Sequence, residues 1–212
     1  MTADDDDYGR RNLFTNSGYS DSAETSRSSD YDDYDSYDGE TRPATRWHGG
    51  LDFGLLIMRL ALGGTLGVHG LQKAFGLFGG PGINEFARIL GDQGFTSQTT
   101  LLAWLGGLAE VAGGALLIIG LFTPAAAGAL MSVSAAVVYL TYADGYFLDG
   151  GKGYEYHALM GAFALGLLFT GPGRISLDVN TPWRRNPVPF AILGIVLGGG
   201  AAVAVMLLFH HR

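Results

Sequence analysis

Long apolar runs separated by short polar turns make up most of this chain. Five segments are apolar enough, or nearly so, to cross the roughly 30 Å hydrocarbon core of a bilayer as helices. They cover residues 52–74, 99–121, 124–142, 156–171 and 189–209. The turns between several of them are short, so consecutive helices are expected to run antiparallel. The pattern therefore predicts an all-α membrane protein with four or five spans, and five is the favoured number.

A shorter segment between the first two spans, INEFARIL, has a different pattern. Its apolar residues recur at helical spacing: Ile83, Phe86, Ala87 and Leu90. The opposite side of the same helix carries Asn84, Glu85 and Arg88. This periodicity predicts a short amphipathic helix at the membrane surface.

The first fifty residues are acidic and poor in aliphatic side chains. Residues 1–50 carry 12 acidic and 5 basic residues, a difference of −7, which equals the net charge of the whole chain. Such a segment buries too little apolar surface to offset the entropy of ordering it. We expect a disordered acidic tail, and the acidity of the chain says nothing about its membrane part.

Cysteine is absent from the sequence. This excludes disulfides, thiolate metal sites and iron–sulfur clusters on this chain, so any redox chemistry requires a partner or a cofactor. Arginine far outnumbers lysine, as in many GC-rich bacterial genomes. Basic residues flanking the spans divide five to four in favour of a cytoplasmic N-terminus. We therefore expect a multi-pass protein of the bacterial inner membrane.

Two ionisable residues lie deep within predicted spans. Arg59 and Glu110 are placed at similar depths if the first and second spans are antiparallel. The favoured interpretation is a buried ion pair that fixes the register of the helices. One alternative is that Glu110 takes up a proton or touches a quinone head group, and another is that the two residues make no direct contact.

A second group of polar residues lies near the ends of the first and fourth spans. His69 and Lys73 are four residues apart on one helix face, while Glu155 and His157 follow a glycine-rich loop. Together they would form a polar cup able to hold a quinone carbonyl or a small anion. The simpler alternative is that they bind loop carbonyls at the membrane interface. No closely spaced ligand pair such as HxxxH or ExxH is present, so we predict no metal site.

Several short motifs carry a family resemblance. They are RLALGGTLGVHGLQKAFGLFGGPG, WLGGLAEVAGGALLIIGLFT, GKGYEY and GPGRISLD, which occur in this order between about residues 53 and 178. The sequence resembles the DoxX family of bacterial membrane proteins. The positions that match the family are His69, Gly70, Lys73, Glu110, Tyr154 and Glu155. His157 departs from the pattern, because relatives often carry proline or an apolar residue there.

The resemblance implies a four-helix membrane core with additions at both ends. It divides the chain into an acidic tail (1–50), a DoxX-like four-helix domain (51–178), a basic loop (179–188) and an additional C-terminal helix (189–212). Within that last helix, Gly194 and Gly198 form a GxxxG pair suited to packing on the core or to binding another chain.

Some DoxX relatives are described as membrane subunits of thiosulfate:quinone oxidoreductase and as anchors within oxidoreductase complexes. The resemblance therefore implies a subunit that anchors or supports a redox complex, with quinone as the candidate cofactor and a soluble or membrane oxidoreductase as the candidate partner. A quinone-reducing subunit is the first alternative, and a small transporter or channel is the second. Homo-oligomerisation is left open, and nothing in the sequence indicates binding of nucleic acid.

Overall fold

The computed structural model describes residues 49–149 and 153–210. The predicted disordered tail lies outside these residues, apart from its last two positions. The described residues form α-helices without a β-strand, as the hydrophobic pattern predicts. The helices are α1 (Gly49–Phe75), α2 (Gly82–Asp92), α3 (Thr99–Ile119), α4 (Thr123–Thr141), α5 (Glu155–Thr170), α6 (Pro182–Arg185) and α7 (Pro187–Phe209).

Four of these helices are long and apolar enough to cross a membrane: α1, α3, α4 with the turn that follows it, and α7. Helix α5 has 16 residues, or about 24 Å of helix at 1.5 Å per residue, which is short for a free span. It packs mainly on α4, with further contacts to α7 and α1. The prediction of a multi-pass helical membrane protein is confirmed.

The long helices alternate in direction, so the bundle has two ends. At the first, which we call end A, Asp52 of α1 meets the loop after α5, accepting a hydrogen bond from the backbone N–H of Arg174 at 2.7 Å. At the opposite end, end B, the last residues of α7 meet the turn before α3, where Thr96 N–H donates to Phe209 O at 3.1 Å. The C-terminal helix thus finishes at the end opposite the start of α1.

Glycines bring α1 and α3 unusually close together. A Cβ atom on Gly63 would lie 2.7 Å from Gly114 O, and one on Gly70 would lie 2.7 Å from Gly107 O. Such contacts need the absence of side chains on both helices, as is common where membrane helices approach closely. Leucines fill the space beside this seam, and Leu62 and Leu66 are fully buried.

The GxxxG pair of α7 packs within the chain. A Cβ atom on Gly194 would lie 3.1 Å from Pro124 O, and one on Gly198 would lie 2.8 Å from Gly128 O, both on α4. Ala191, one turn before Gly194, is fully buried. The C-terminal helix therefore uses its small-residue ridge to join α4, which is the first of the two roles expected from the sequence.

Helix α2 is amphipathic as predicted. Ala87 and Leu90 are buried, and Ile83 and Phe86 pack against the same cluster, which includes Leu102 of α3. Arg88 is exposed and forms ion pairs with Glu85 and Asp92 on the outer face. The hydrogen bonds to Arg88 lower the pKa of the Glu85 carboxyl. The apolar face of α2 thus packs on the bundle at end B, and its charged face points outward.

Candidate functional site

A buried ion pair joins α1 to α3 near end B. Lys73, in the last turn of α1, places its Nζ 2.6 Å from Oε1 of Glu110. The Glu110 side chain has no solvent exposure, whereas that of Lys73 retains 18%. The ammonium also lies 5.3 Å from the centre of the Phe86 ring, within range of a cation–π interaction. These contacts make Lys73 the direct partner of Glu110.

The geometry of antiparallel helices explains this pairing. Gly70 lies against Gly107 and against the Cβ atom of Glu110, so the two backbones nearly touch at this level. Side chains tilt toward the N-terminus of their own helix. Lys73 therefore leans toward end A and Glu110 leans toward end B, and they meet across the Gly70 contact.

The predicted pair of Arg59 with Glu110 is wrong. The contacts of Gly63 with Gly114 and of Gly70 with Gly107 set the register of α1 on α3. This register places Glu110 beside the level of residue 67, which is about 12 Å along the helix axis from Arg59 at 1.5 Å per residue. The two side chains also tilt away from each other. The prediction compared the depths of the two residues, counted from the expected ends of their spans. That comparison gave neither the register of α1 on α3 nor the direction in which each side chain tilts.

Arg59 belongs instead to a buried cluster at end A. Its guanidinium donates hydrogen bonds to the backbone carbonyls of Ile175 and Leu117, the latter at 3.5 Å. Asp178, which has no exposure, lies within electrostatic range of this guanidinium. The cluster joins the loop after α5 to α1 and α3. Arg59 thus has a structural role, but its partners are backbone carbonyls and not Glu110.

Helix α5 completes the site at end B. The Tyr156 ring lies 5.6 Å from the ring of His69, centre to centre, and 4.9 Å from that of His157. Lys73 and His69 lie within electrostatic range of His157, and Glu110 lies within electrostatic range of Tyr156. We call these five residues the polar site: His69, Lys73, Glu110, Tyr156 and His157.

Glu155 does not join the polar site. Its Oε1 accepts a hydrogen bond from the backbone N–H of Leu148 at 3.0 Å, and its own N–H donates to Tyr146 O at 2.9 Å. The residue therefore ties the preceding loop to the first turn of α5. The structure thus brings together three of the four residues of the predicted cup, and it adds Glu110 and Tyr156.

Two buried polar atoms of the site have no hydrogen-bond partner among the described residues. They are Oε2 of Glu110 and the hydroxyl of Tyr156. A buried carboxylate oxygen and a buried hydroxyl both carry a desolvation cost when unpaired. They are groups that a ligand carbonyl, a ligand hydroxyl or a water molecule would satisfy.

Two apolar grooves on the surface of the described bundle lie away from the polar site. One is lined by residues of α4 and α7 together with Trp183, and another by residues around Tyr139 at the end of α4. Neither groove includes a residue of the polar site. Within residues 49–149 and 153–210, no three His, Asp or Glu side chains converge closely enough to hold a metal ion.

Sequence reasoning missed Tyr156 and Asp178. The signal that could have placed Tyr156 is its position between Glu155 and His157 at the start of a helix. Asp178 ends the GPGRISLD motif, where it caps α4 by accepting a hydrogen bond from the N–H of Thr123 at 2.8 Å. A carboxylate opposite a helix start is hard to recognise when 55 residues separate the two in sequence.

Comparison with known proteins gives one family match. The model of the DoxX family matches residues 54–143, which run from α1 to just beyond α4. No curated protein and no solved structure matches the chain. Three residues of the polar site, His69, Lys73 and Glu110, fall within the matched range, whereas the α5 residues lie beyond it. Residues 54–143 of this helical bundle thus match the DoxX family model, which agrees with the resemblance that the sequence motifs indicate.

Proposed function

We propose that this protein is a membrane subunit of a redox complex and that its polar site binds the head group of a quinone. The observation that carries the proposal is the pair of unpartnered buried groups, Glu110 Oε2 and the Tyr156 hydroxyl, beside the Lys73–Glu110 ion pair. Four buried side chains in the described bundle are ionisable: Asp52, Arg59, Glu110 and Asp178. Ionisable groups at membrane depth are costly and commonly mark functional sites.

The chemistry of the site suits a quinone. A quinone head group offers two carbonyl acceptors, and both Lys73 and Tyr156 are hydrogen-bond donors. The reduced head group offers hydroxyl donors, for which Glu110 Oε2 is an acceptor. The rings of His69, Tyr156 and Phe86 add apolar surface around these polar groups, as in small-molecule sites generally. A lipid-soluble ligand would reach the site from the bilayer.

A separate protein would supply the electrons. The chain contains no cysteine, so it has no thiol or thiolate cluster with which to exchange them. We therefore propose an oxidoreductase partner, soluble or membrane-bound, with this chain as its anchor in the bacterial inner membrane. The N-terminus and end A would face the cytoplasm, where Arg184 and Arg185 lie beside the start of α7.

The separation of the two polar clusters favours a ligand-binding subunit over a channel or transporter. The end A cluster around Arg59 and the polar site near end B are separated along α1 by Leu62 and Leu66, which are fully buried. A polar path would have to pass this apolar layer. A single site close to one end is better suited to binding a ligand than to conducting one.

Tryptophan fluorescence provides a test of quinone binding. Trp104 of α3 lies six residues from Glu110, about 9 Å along the helix, whereas Trp183 lies at end A. In a variant retaining only Trp104, decylubiquinone or a short-chain menaquinone should quench the emission saturably. A variant retaining only Trp183 is the matched control and should show only the weak, unsaturable quenching of a lipid-soluble probe.

Substitutions at the site make this test specific. Tyr156→Phe and Glu110→Gln should weaken the saturable quenching of Trp104, because each removes one group that contacts the head group. Equal quenching of both tryptophans, unchanged by Tyr156→Phe, would contradict quinone binding at this site.

Purification from the native membrane in a mild detergent tests the partner. A stoichiometric oxidoreductase should accompany the protein, and organic extraction should recover a quinone that is reduced in the presence of the partner's electron donor. Reduction of quinone by the purified chain alone, with an added donor, would instead favour the alternative of a quinone-reducing subunit. Absence of both partner and quinone would contradict the proposal.

A further inference from the structure

The Lys73–Glu110 pair has an asymmetric environment. A single hydrogen bond of 2.6 Å joins Nζ to Oε1. The carboxylate is completely buried, whereas the lysine side chain retains 18% exposure in the last turn of α1 at end B. One side of the bond is therefore open to the membrane edge, and the other side is enclosed in the bundle.

Burial raises the free energy of the charged form of this pair relative to its neutral form. Removing each ion from water costs several kcal/mol, and the attraction between them repays this only in part. When the ammonium proton moves to Oε1, an N–H bond breaks and an O–H bond forms. The products are a neutral amine and a neutral carboxylic acid, so the transfer removes both buried charges.

The groups that face the pair do not fix its charge state. On α1 it faces His69, on α5 Tyr156 and His157, and on α2 the Phe86 ring. The charged residues of α2 are exposed and pair with one another. Imidazole and phenol groups are both available in neutral form near pH 7. The charges of Lys73 and Glu110 therefore depend mainly on each other.

We propose that Lys73 and Glu110 form a proton-transfer pair that carries protons between the aqueous edge of end B and the buried carboxyl group beside Tyr156. In the inward direction, the ammonium of Lys73 gives its proton to Glu110. The resulting amine then takes a proton from a hydronium ion at end B, so that one proton has entered and rests on Glu110. In the outward direction it returns by the same two steps in reverse. This proposal goes beyond the proposed function, because it requires no quinone and no partner.

Infrared spectroscopy of the ligand-free protein in detergent tests the proposal. At neutral pH the spectrum should contain the carbonyl band of a protonated carboxyl group, shifted in D₂O and absent from Glu110→Gln. If that variant does not fold, Glu110→Asp should displace the band instead. Glu85→Gln is the matched control, since it removes an exposed glutamate that is also paired with a cation, and it should leave the band in place.

Lys73→Arg separates proton transfer from a structural ion pair. Arginine keeps the positive charge and the hydrogen bond but does not release its proton in proteins. The proposal expects the Glu110 band to vanish at neutral pH while the thermal stability is largely retained. Persistence of the band in Lys73→Arg, or its absence from the wild-type protein at neutral pH, would overturn the proposal. Neither result depends on quinone binding, which the fluorescence experiment measures separately.

Discussion

Asp178 caps helix α4 from 55 residues away, with its Oδ2 accepting a hydrogen bond from the backbone N–H of Thr123 at 2.8 Å. Its Oδ1 accepts a second bond from Phe122 N–H at 3.1 Å, and its own N–H donates to Gly120 O at 2.9 Å. The loop after α5 thereby closes the turn between α3 and α4. This contact joins the end of the GPGRISLD motif to the middle of the chain.

Replacing Asp178 with alanine should destabilise the bundle by about 2 kcal/mol, because it removes a helix cap and leaves buried N–H groups unpaired. Thermal unfolding in a mild detergent measures the change. Asn180→Ala is the control, since Asn180 is an exposed neighbour. Equal stabilities for the two variants would show that the cap contributes nothing.

Replacing either member of the Lys73–Glu110 pair should strongly destabilise the protein. Glu110→Gln or Lys73→Met alone should lower the free energy of unfolding by about 3–5 kcal/mol, since each leaves the other member of the pair without its partner. The double variant should recover part of this loss, with a coupling of about 1–3 kcal/mol.

The same measurements distinguish the two pairings of Glu110. Arg59→Met combined with Glu110→Gln should be additive within about 0.5 kcal/mol, because the two side chains share no contact. Strong coupling of Arg59 to Glu110, with none between Lys73 and Glu110, would contradict the arrangement described above.

A side chain at Gly70 should disrupt the close packing of α1 on α3. Gly70→Ala places a methyl group 2.7 Å from Gly107 O and Val111 N, so the helices must separate. The expected cost is about 1–3 kcal/mol in the free energy of unfolding. Gly64 of the same helix has open space at its Cβ position, and Gly64→Ala should be neutral or slightly stabilising.

A large side chain at Gly198, in the small-residue ridge of α7, should disrupt the packing of α7 on α4. The Cβ atom of Gly198→Leu would collide with Gly128 O and Ser132 Oγ, whereas a Cβ atom at Gly200 has nothing within 4 Å, so Gly200→Leu is the control. The first variant should lower the unfolding temperature in detergent and expose α7 to proteolysis, and the second should behave as the wild type. If α7 instead bound another chain through this ridge, Gly198→Leu would change the oligomeric state and leave monomer stability unaltered.

Cysteine labelling tests the direction of the bundle. Asn180 lies in the loop at end A and Ser97 in the turn at end B, and both are exposed. In this thiol-free chain, a single cysteine at Ser97 should react with an impermeant reagent added outside intact cells. A single cysteine at Asn180 should react only after permeabilisation, and the reverse pattern would invert the topology.

The hydrophobic pattern by itself determined the helical membrane fold, because apolar runs of this length have few other stable forms. It also located the amphipathic helix α2, whose apolar positions are the ones that pack on α3. The GxxxG motif marked the face of α7 that contacts α4, since close approach requires small residues. These features depend on local periodicity, which a sequence displays directly.

Only the tertiary structure decided which polar groups meet. Lys73 rather than Arg59 reaches Glu110, because the register of α1 on α3 is fixed by backbone contacts at Gly63 and Gly70. Glu155 is held by the loop, while Tyr156, one residue later, turns toward His69. A shift of a few residues in register, or of one residue in helical phase, changes the partner of each side chain, and composition and spacing do not encode such shifts.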